Sequence, residues 1–268
     1  MCLLVLAWKA HPRYRLVVAA NRDEFHARPA APMSRWPQPN DMLAGRDLLA
    51  GGTWLALDRR RRFAVVTNFR DLQTAQPDAP SRGQLIPRYL ADDASAGTFL
   101  AALQPQAPEF AGFNLLLADQ DSLWYACNRI SADAGAAPPF MRALEPGIHG
   151  LSNQFLDTPW PKLRRVRERF DQWLGQTRGE ASDRELFAIL DDRRRVAADE
   201  ELPETGLSPE WERVLSAPFV LDPRYGTRCS TVLLLEHSGA FTLVERRFDA
   251  QGRFSGESRW QCGPADWA

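Results

Sequence analysis

Strand-like segments crowd both ends of this chain, and helix-like segments collect between them. Cys2–Lys9 is a compact apolar run, and Arg15–Ala20 follows it after a proline-bearing turn at His11–Arg13. The two read as a hairpin. Thr53–Asp58 and Phe63–Phe69 flank Arg59–Arg62 as a second hairpin, with Gly51-Gly52 marking a bend before it. Pro29–Pro39 reads as a proline-rich loop carrying Trp36. Phe113–Asp119 and Leu123–Asn128 pair around Gln120-Asp121, and Phe140–Leu144 and Ile148–Leu151 are shorter strands. Cys229–Glu236, Phe241–Phe248 and Glu257–Gln261 close the chain. No strand–helix–strand alternation appears, so a parallel doubly wound sheet is not expected. The expectation is an α+β layer protein with mostly antiparallel sheets, whose N-terminal and C-terminal strands pair across the whole chain.

The helices are legible by spacing. Trp160–Leu174 carries Leu163, Val166, Phe170 and Trp173 on one face, with Thr158-Pro159 as the expected start and Gly175 as the stop. Asp183–Asp192 opens with Ser182 and Glu185 at capping-box spacing. Gln84–Leu90, Ser95–Leu103 and Pro209–Leu215 are the other helical segments. No repeat or low-complexity linker divides the sequence, which reads as a single domain over 1–268.

Composition matters for what it excludes. Hydrophobic residues make up 44% and the net charge is −1, the opposite of a disordered signature. That balance also lacks the basic footprint of a nucleic-acid binder. The longest apolar run, Cys2–Trp8, is far short of the ~20 residues a membrane helix needs. Cys2, Cys127, Cys229 and Cys262 show no CxxC spacing and suit a reducing compartment, so the expected location is cytoplasmic. Positive charge is nearly all arginine, with lysine only at Lys9 and Lys162. Arg59–Arg62 and Arg193–Arg195 read as solvated turns; capture of carboxylates or phosphates by arginine forks is the functional alternative.

Dinucleotide, P-loop, HExxH and GxSxG motifs are absent, and the four histidines are scattered, so no metal is expected. The chemistry gathers instead at the start. Methionine is removed when residue 2 is small, which would leave Cys2 with a thiol and a free α-amine. An amine with an ordinary pKa near 7.7–8.0 can serve the thiol as a base. The bland alternative is a small apolar residue opening a buried strand. Asn21-Arg22-Asp23-Glu24 ends the second strand-like run, where a hairpin could bring it near Cys2. A close guanidinium would favour the thiolate; a plain polar strand end is the other reading.

Met1-Cys2, Trp8, Asn21-Arg22-Asp23-Glu24-Phe25, Arg28-Pro29, Gly45-Arg46-Asp47 and Gly51-Gly52-Thr53-Trp54-Leu55 resemble the NRDE family, that of transport and Golgi organisation protein 2. The resemblance is densest over residues 1–70 and runs on through Gly150–Asn153 and Gly226–Thr231. A more distant resemblance, in the order Cys2, Arg22/Asp23, Asn68, Asn153, Arg228, is to the penicillin V acylase and bile salt hydrolase group. Those are N-terminal nucleophile (Ntn) hydrolases with a four-layer αββα sandwich. One departure stands: their arginine and aspartate are three apart, whereas Arg22 and Asp23 are adjacent. Either the strand shifts register, or Asn21 and Glu24 occupy those positions.

Under this resemblance Cys2 attacks a carbonyl and its amine moves the proton. Asn68 and Asn153 donate to the oxyanion. Arg22 and Arg228 hold the thiolate or a carboxylate, and Asp23 orients the amine or Arg22. Two functions follow. One is a cysteine-dependent hydrolase cleaving an amide or thioester of a small apolar acyl compound, with no cofactor required. The other is a carrier of haem, lipid or acyl-CoA in the same cleft, because the family is associated with haem trafficking and lipid metabolism. In the carrier reading Cys2 or His26 touches haem iron. Asn21, Glu24, Trp36 and Trp54 are the expected ligand-binding neighbours.

Overall fold

The computed structural model describes residues 2–70, 79–129 and 139–267. The chain divides into two compact units. The first comprises Met1–Arg28, Pro146–Ser152 and Leu156–Ala268, and the second Pro29–Glu145 with Asn153–Phe155.

The first unit is built on strands β1 (Cys2–Trp8) and β2 (Tyr14–Phe25). The second contributes β3 (Ala30–Trp36), β4 (Met42–Asp47), β5 (Leu55–Asp58), β6 (Phe63–Asn68), β7 (Phe113–Ala118), β8 (Leu123–Cys127) and β9 (Met141–Ala143). Helices α1 (Leu85–Ala91) and α2 (Ala96–Leu103) lie between β6 and β7. The chain returns to the first unit with β10 (Gly147–Leu151). Helices α3 (Pro161–Gln176), α4 (Asp183–Leu190) and α5 (Pro209–Leu215) follow, then β11 (Tyr225–Glu236), β12 (Phe241–Phe248) and β13 (Phe254–Cys262). Strand order is β10-β1-β2-β11-β12-β13 in the first unit and β3-β4-β5-β6-β7-β8-β9 in the second. Every pairing among the named strands is antiparallel.

The class is therefore α+β with two antiparallel sheets, and the terminal strands do pair: β2 lies against β11 along nearly its whole length. In the first unit Leu3, Val5, Ala7, Val17, Ala19, Val232 and Leu234 pack under Leu163, Val166 and Phe170 of α3 and Leu186 and Leu190 of α4. The opposite face carries Leu4, Leu6, Trp8, Leu16, Val18 and Leu233, and these are buried as well. Burial on both faces is why β1 reads as a continuous apolar run rather than an alternating one. In the second unit α1 and α2 supply Leu85, Ile86, Tyr89, Phe99 and Leu100 against Ala44, Ala56, Ala64, Leu115 and Leu117.

Several expectations are corrected. Strand β2 does not stop at Ala20 but runs through the polar tetrad to Phe25, because β11 supplies pairing partners that far. The Pro29–Pro39 segment is largely strand β3 against β4, with its irregular register between Ala31 and Ser34 accommodating the proline. Arg59–Arg62 is not a solvated turn throughout: Arg61 and Arg62 are buried. Arg62 pairs with Asp58 at 2.8 Å and donates to the carbonyls of Leu90 (2.6 Å) and Asp92 (2.8 Å). Those bonds cover the carbonyl end of α1. Helix α3 begins one residue later than expected, with Trp160 in the capping position and Pro161 first, and it runs past Gly175. Ser182 caps α4, but Glu185 accepts from Trp173 Nε1 at 2.9 Å instead of closing a box.

Candidate active site

The site is assembled from the first unit around Cys2. In the β1–β2 ladder Cys2 lies directly opposite Arg22, and Leu3 opposite Asn21. Directly opposed residues share a face, and neighbours along a strand take opposite faces. Arg22 therefore flanks the thiol, and Asn21 turns to the helix-covered side. There its Nδ2 donates to the carbonyls of Leu190 (3.0 Å) and Pro218 (2.9 Å). Its Oδ1 accepts from Ser230 Oγ at 2.6 Å. The alternative left open by the sequence is thus decided geometrically: Arg22, not Asn21, stands beside Cys2.

Asp23 is buried and has the same orientation as Asn21. Its Oδ1 accepts from Thr227 Oγ1 at 2.6 Å, and its carbonyl accepts from Tyr225 Oη at 2.8 Å. Its backbone N–H donates to the Cys2 sulfur. Burial pushes the Asp23 carboxyl up, opposed by Lys162, the terminal ammonium, the Thr227 hydroxyl and Arg22. Cys2 itself is only partly exposed. Burial pushes its thiol up and the Asp23 charge adds to that, while Arg22 and the Asp23 N–H pull it down. Desolvation therefore outweighs the guanidinium expected to favour the thiolate. Ser152 Oγ donates to the Cys2 carbonyl at 3.2 Å and fixes the start of β1 to the end of β10.

Arg228 occupies a register shift in β11: Thr227 faces Asp23 and Cys229 faces Arg22, which leaves Arg228 as an extra residue. Its Nη1 donates to the carbonyls of Phe25 (2.8 Å), His26 (3.3 Å) and Arg28 (3.1 Å), clamping the turn after β2. Burial and the nearby Arg22 guanidinium push Arg228 below its usual value. His26 Nε2 is 3.1 Å from the Asp222 carbonyl. Gly226 lets that ring approach, since a Cβ there would lie 3.2 Å from it and 3.0 Å from the Val220 carbonyl. Glu24 accepts from the Phe25 N–H at 2.9 Å and lies 3.9 Å from Arg28.

The remaining expected residues belong to the second unit. Asn153 is buried, and its Nδ2 donates to the Asn68 carbonyl at 2.9 Å, while its own carbonyl accepts from the Arg70 N–H at 2.7 Å. Asn68 and Asn153 are thus held as a pair. Trp36 is buried, donates to the Ala44 carbonyl at 3.0 Å and lies under the Arg46 guanidinium at 4.0 Å. Trp54 packs against Gly45, where a Cβ would lie 2.3 Å from its ring. The Gly45-Arg46-Asp47 and Thr53-Trp54 motifs are therefore two halves of one packing arrangement. Sequence reading missed Thr227, Ser152 and Lys162; the only signal for the last was its rarity. Among the described residues no cluster of three metal-ligating side chains occurs, and no helix is long and apolar enough to cross a membrane.

The profile of the family described as "Transport and Golgi organisation 2" matches residues 1–250. This chain belongs to that family. It is 32% identical to the Transport and Golgi organization 2 homolog of Mus musculus over 266 residues, 92% of each chain. The Homo sapiens homolog is 31% identical over 265 residues, again 92% of each chain. The Drosophila melanogaster protein is 25% identical over 264 residues, 91% of each. A solved structure of the Caenorhabditis elegans N-acylethanolamine-hydrolyzing acid amidase (NAAA) ortholog matches with a TM-score of 0.51. The match is 10% identical and covers 87% of this chain and 92% of that chain. This family member therefore has an Ntn-hydrolase-like fold, as the resemblance of its sequence implied.

Proposed function

We propose that this protein is an N-terminal cysteine hydrolase that cleaves an amide or thioester of a small apolar acyl compound. The reading rests on one arrangement: a partly exposed cysteine at the first residue of β1, with the Asp23 N–H on its sulfur and Arg22 directly across the ladder. A thiol pushed up by burial is protonated at neutral pH and is a weak nucleophile alone. An amine on the same residue removes that difficulty. Once Met1 is removed, the Cys2 amine takes the thiol proton as sulfur attacks the carbonyl carbon. It returns that proton to the leaving nitrogen or sulfur, and a thioester on Cys2 remains. Water, deprotonated by the same amine, releases the acid and regenerates the thiol. Asp23 fits a role in orienting the amine, and Arg22 one in steadying the sulfur. The fold shared with an N-acylethanolamine-hydrolyzing amidase agrees with an amide substrate but does not by itself establish hydrolysis.

The test combines intact mass with a panel of medium-chain N-acyl amides and acyl thioesters. Expected are loss of Met1, a Cys2-bound acyl adduct, release of free acid, and loss of all turnover in Cys2→Ala. Retention of Met1 removes the base and overturns the mechanism. Ligand binding with no adduct across the panel overturns hydrolysis in favour of carriage.

A further inference from the structure

Lys162 stands apart from every other cation in the chain. It is one of two lysines among 33 basic residues, and it is 2% exposed. It also lies in the first turn of α3, where the helix dipole opposes positive charge. A buried ammonium needs more than one neutral partner. Its Nζ donates to the Leu215 carbonyl at 2.9 Å. That carbonyl begins a segment strapped in order to the elements around Asp23. Asn21 of β2 bonds the Pro218 carbonyl at 2.9 Å, and Thr227 Oγ1 of β11 accepts from the Val220 N–H at 2.9 Å. The same Thr227 hydroxyl donates to the Asp23 carboxylate at 2.6 Å. These bonds tie Lys162 and Asp23 to one buried segment from α3 and β2, and the Lys162 charge is the foremost of the influences that lower the Asp23 carboxyl.

We propose that Lys162 is a positioning residue for the cysteine site: its buried ammonium is the counter-charge of Asp23 and favours the ionised form of that carboxyl behind Cys2. This rests on the hydrolase reading for its purpose, since an ionised Asp23 is what would orient the Cys2 amine. It does not rest on that reading for its test. The other groups that act on Asp23 are Arg22 on its own strand, the terminal ammonium, and the Thr227 hydroxyl of β11. Cys2 of β1 feels the Asp23 charge, and Tyr225 Oη of β11 donates to the Asp23 carbonyl.

The experiment is a carboxyl titration by NMR of protein carrying ¹³C-labelled aspartate, with the Asp23 signal assigned by its loss in Asp23→Asn. In Lys162→Met the proton affinity of Asp23 should rise by about tenfold or more, and the pH profile of Cys2 alkylation should move with it. An unchanged Asp23 titration in folded Lys162→Met overturns the proposal. Should Lys162→Met not fold, its cost is read in the Asp23→Asn background: folding restored in the double variant supports the pair. A double variant that is equally unfolded, with Asp23→Asn alone folded, overturns it. Intact mass separates the two ideas. Retained Met1 sinks the N-terminal nucleophile, while the Asp23 titration still decides the lysine's role.

Discussion

Asn21→Leu should destabilise the protein strongly without touching the thiol. Asn21 is 1% exposed and makes three side-chain hydrogen bonds. Two of them satisfy carbonyls, one of which, Leu190, ends α4 where the helix itself offers no donor. Leucine has the same branched heavy-atom skeleton but is bulkier and not planar, so some overpacking adds to the polar loss. Leaving the Leu190 and Pro218 carbonyls without this donor and Ser230 Oγ without this acceptor costs about 1–3 kcal/mol for each group. Neighbouring losses do not add fully, so the expected total is about 4 kcal/mol. Against a typical stability of about 5–15 kcal/mol that is a large fraction. At this chain length it corresponds to a fall in melting temperature of about 8 °C. Urea unfolding followed by tryptophan fluorescence measures it, with the slope checked for constancy. The rate of Cys2 alkylation at fixed pH should match wild type, because Asn21 lies on the other face of β2. A stability loss below about 1 kcal/mol, or an altered alkylation rate in folded protein, would refute the assignment of Asn21 as a tie between β2, α4 and the 215–220 segment.

Gly45→Ala places a Cβ 2.3 Å from the Trp54 ring, so the indole must leave its position. Overpacking of this kind costs about 1–3 kcal/mol, and it should appear as a shifted tryptophan emission together with a lower urea midpoint; an unmoved spectrum would show that Trp54 does not rest on Gly45. Asp192 is held down to about 2, first by the Arg194 hydrogen bonds and also by Arg165. That lies below the ordinary aspartate value of about 3.9, so the pairing stabilises the fold above pH 4 and is lost as pH falls toward 2. Asp192→Asn should therefore lower the urea midpoint at pH 7 and converge with wild type on acidification, whereas parallel curves would contradict the pairing.

What sequence could reveal here was local. Leu163, Val166, Phe170 and Trp173 announce α3 because their spacing alone defines a face. Cys2 announces itself because thiol and amine would belong to one residue. The end of β2 was hidden for the opposite reason. Asn21 is satisfied by Leu190, Pro218 and Ser230, and Asp23 by Thr227, all more than 150 positions away in the chain. Such residues look like a solvated strand end until their partners are known. Arg62 deceived in the same way, since the carbonyls it covers come from the far end of α1. The direction of the Cys2 shift was also beyond reach: a nearby arginine is visible in sequence, but the burial that outweighs it is not.

The adjacency of Arg22 and Asp23, which set this chain apart from the hydrolases it resembles, has a geometric resolution. Neighbours on a strand point to opposite sides, so the two side chains cannot both approach one sulfur. Arg22 flanks Cys2 across the ladder, and Asp23 reaches the same sulfur through its backbone N–H. That frees the carboxylate for Thr227 and for the charge of Lys162. The arrangement needs a partner strand that changes face at the same point. A regular β11 would put Thr227 and Cys229 on one face. The extra residue at Arg228 sets Thr227 opposite Asp23 and Cys229 opposite Arg22, one on each side. It also delivers the Arg228 guanidinium to the carbonyls of Phe25, His26 and Arg28, where it holds the turn that ends β2. Removing the irregularity, by deleting Arg228, would slip one side of this register: either Thr227 would lose Asp23 or Cys229 would leave the row of Cys2 and Arg22.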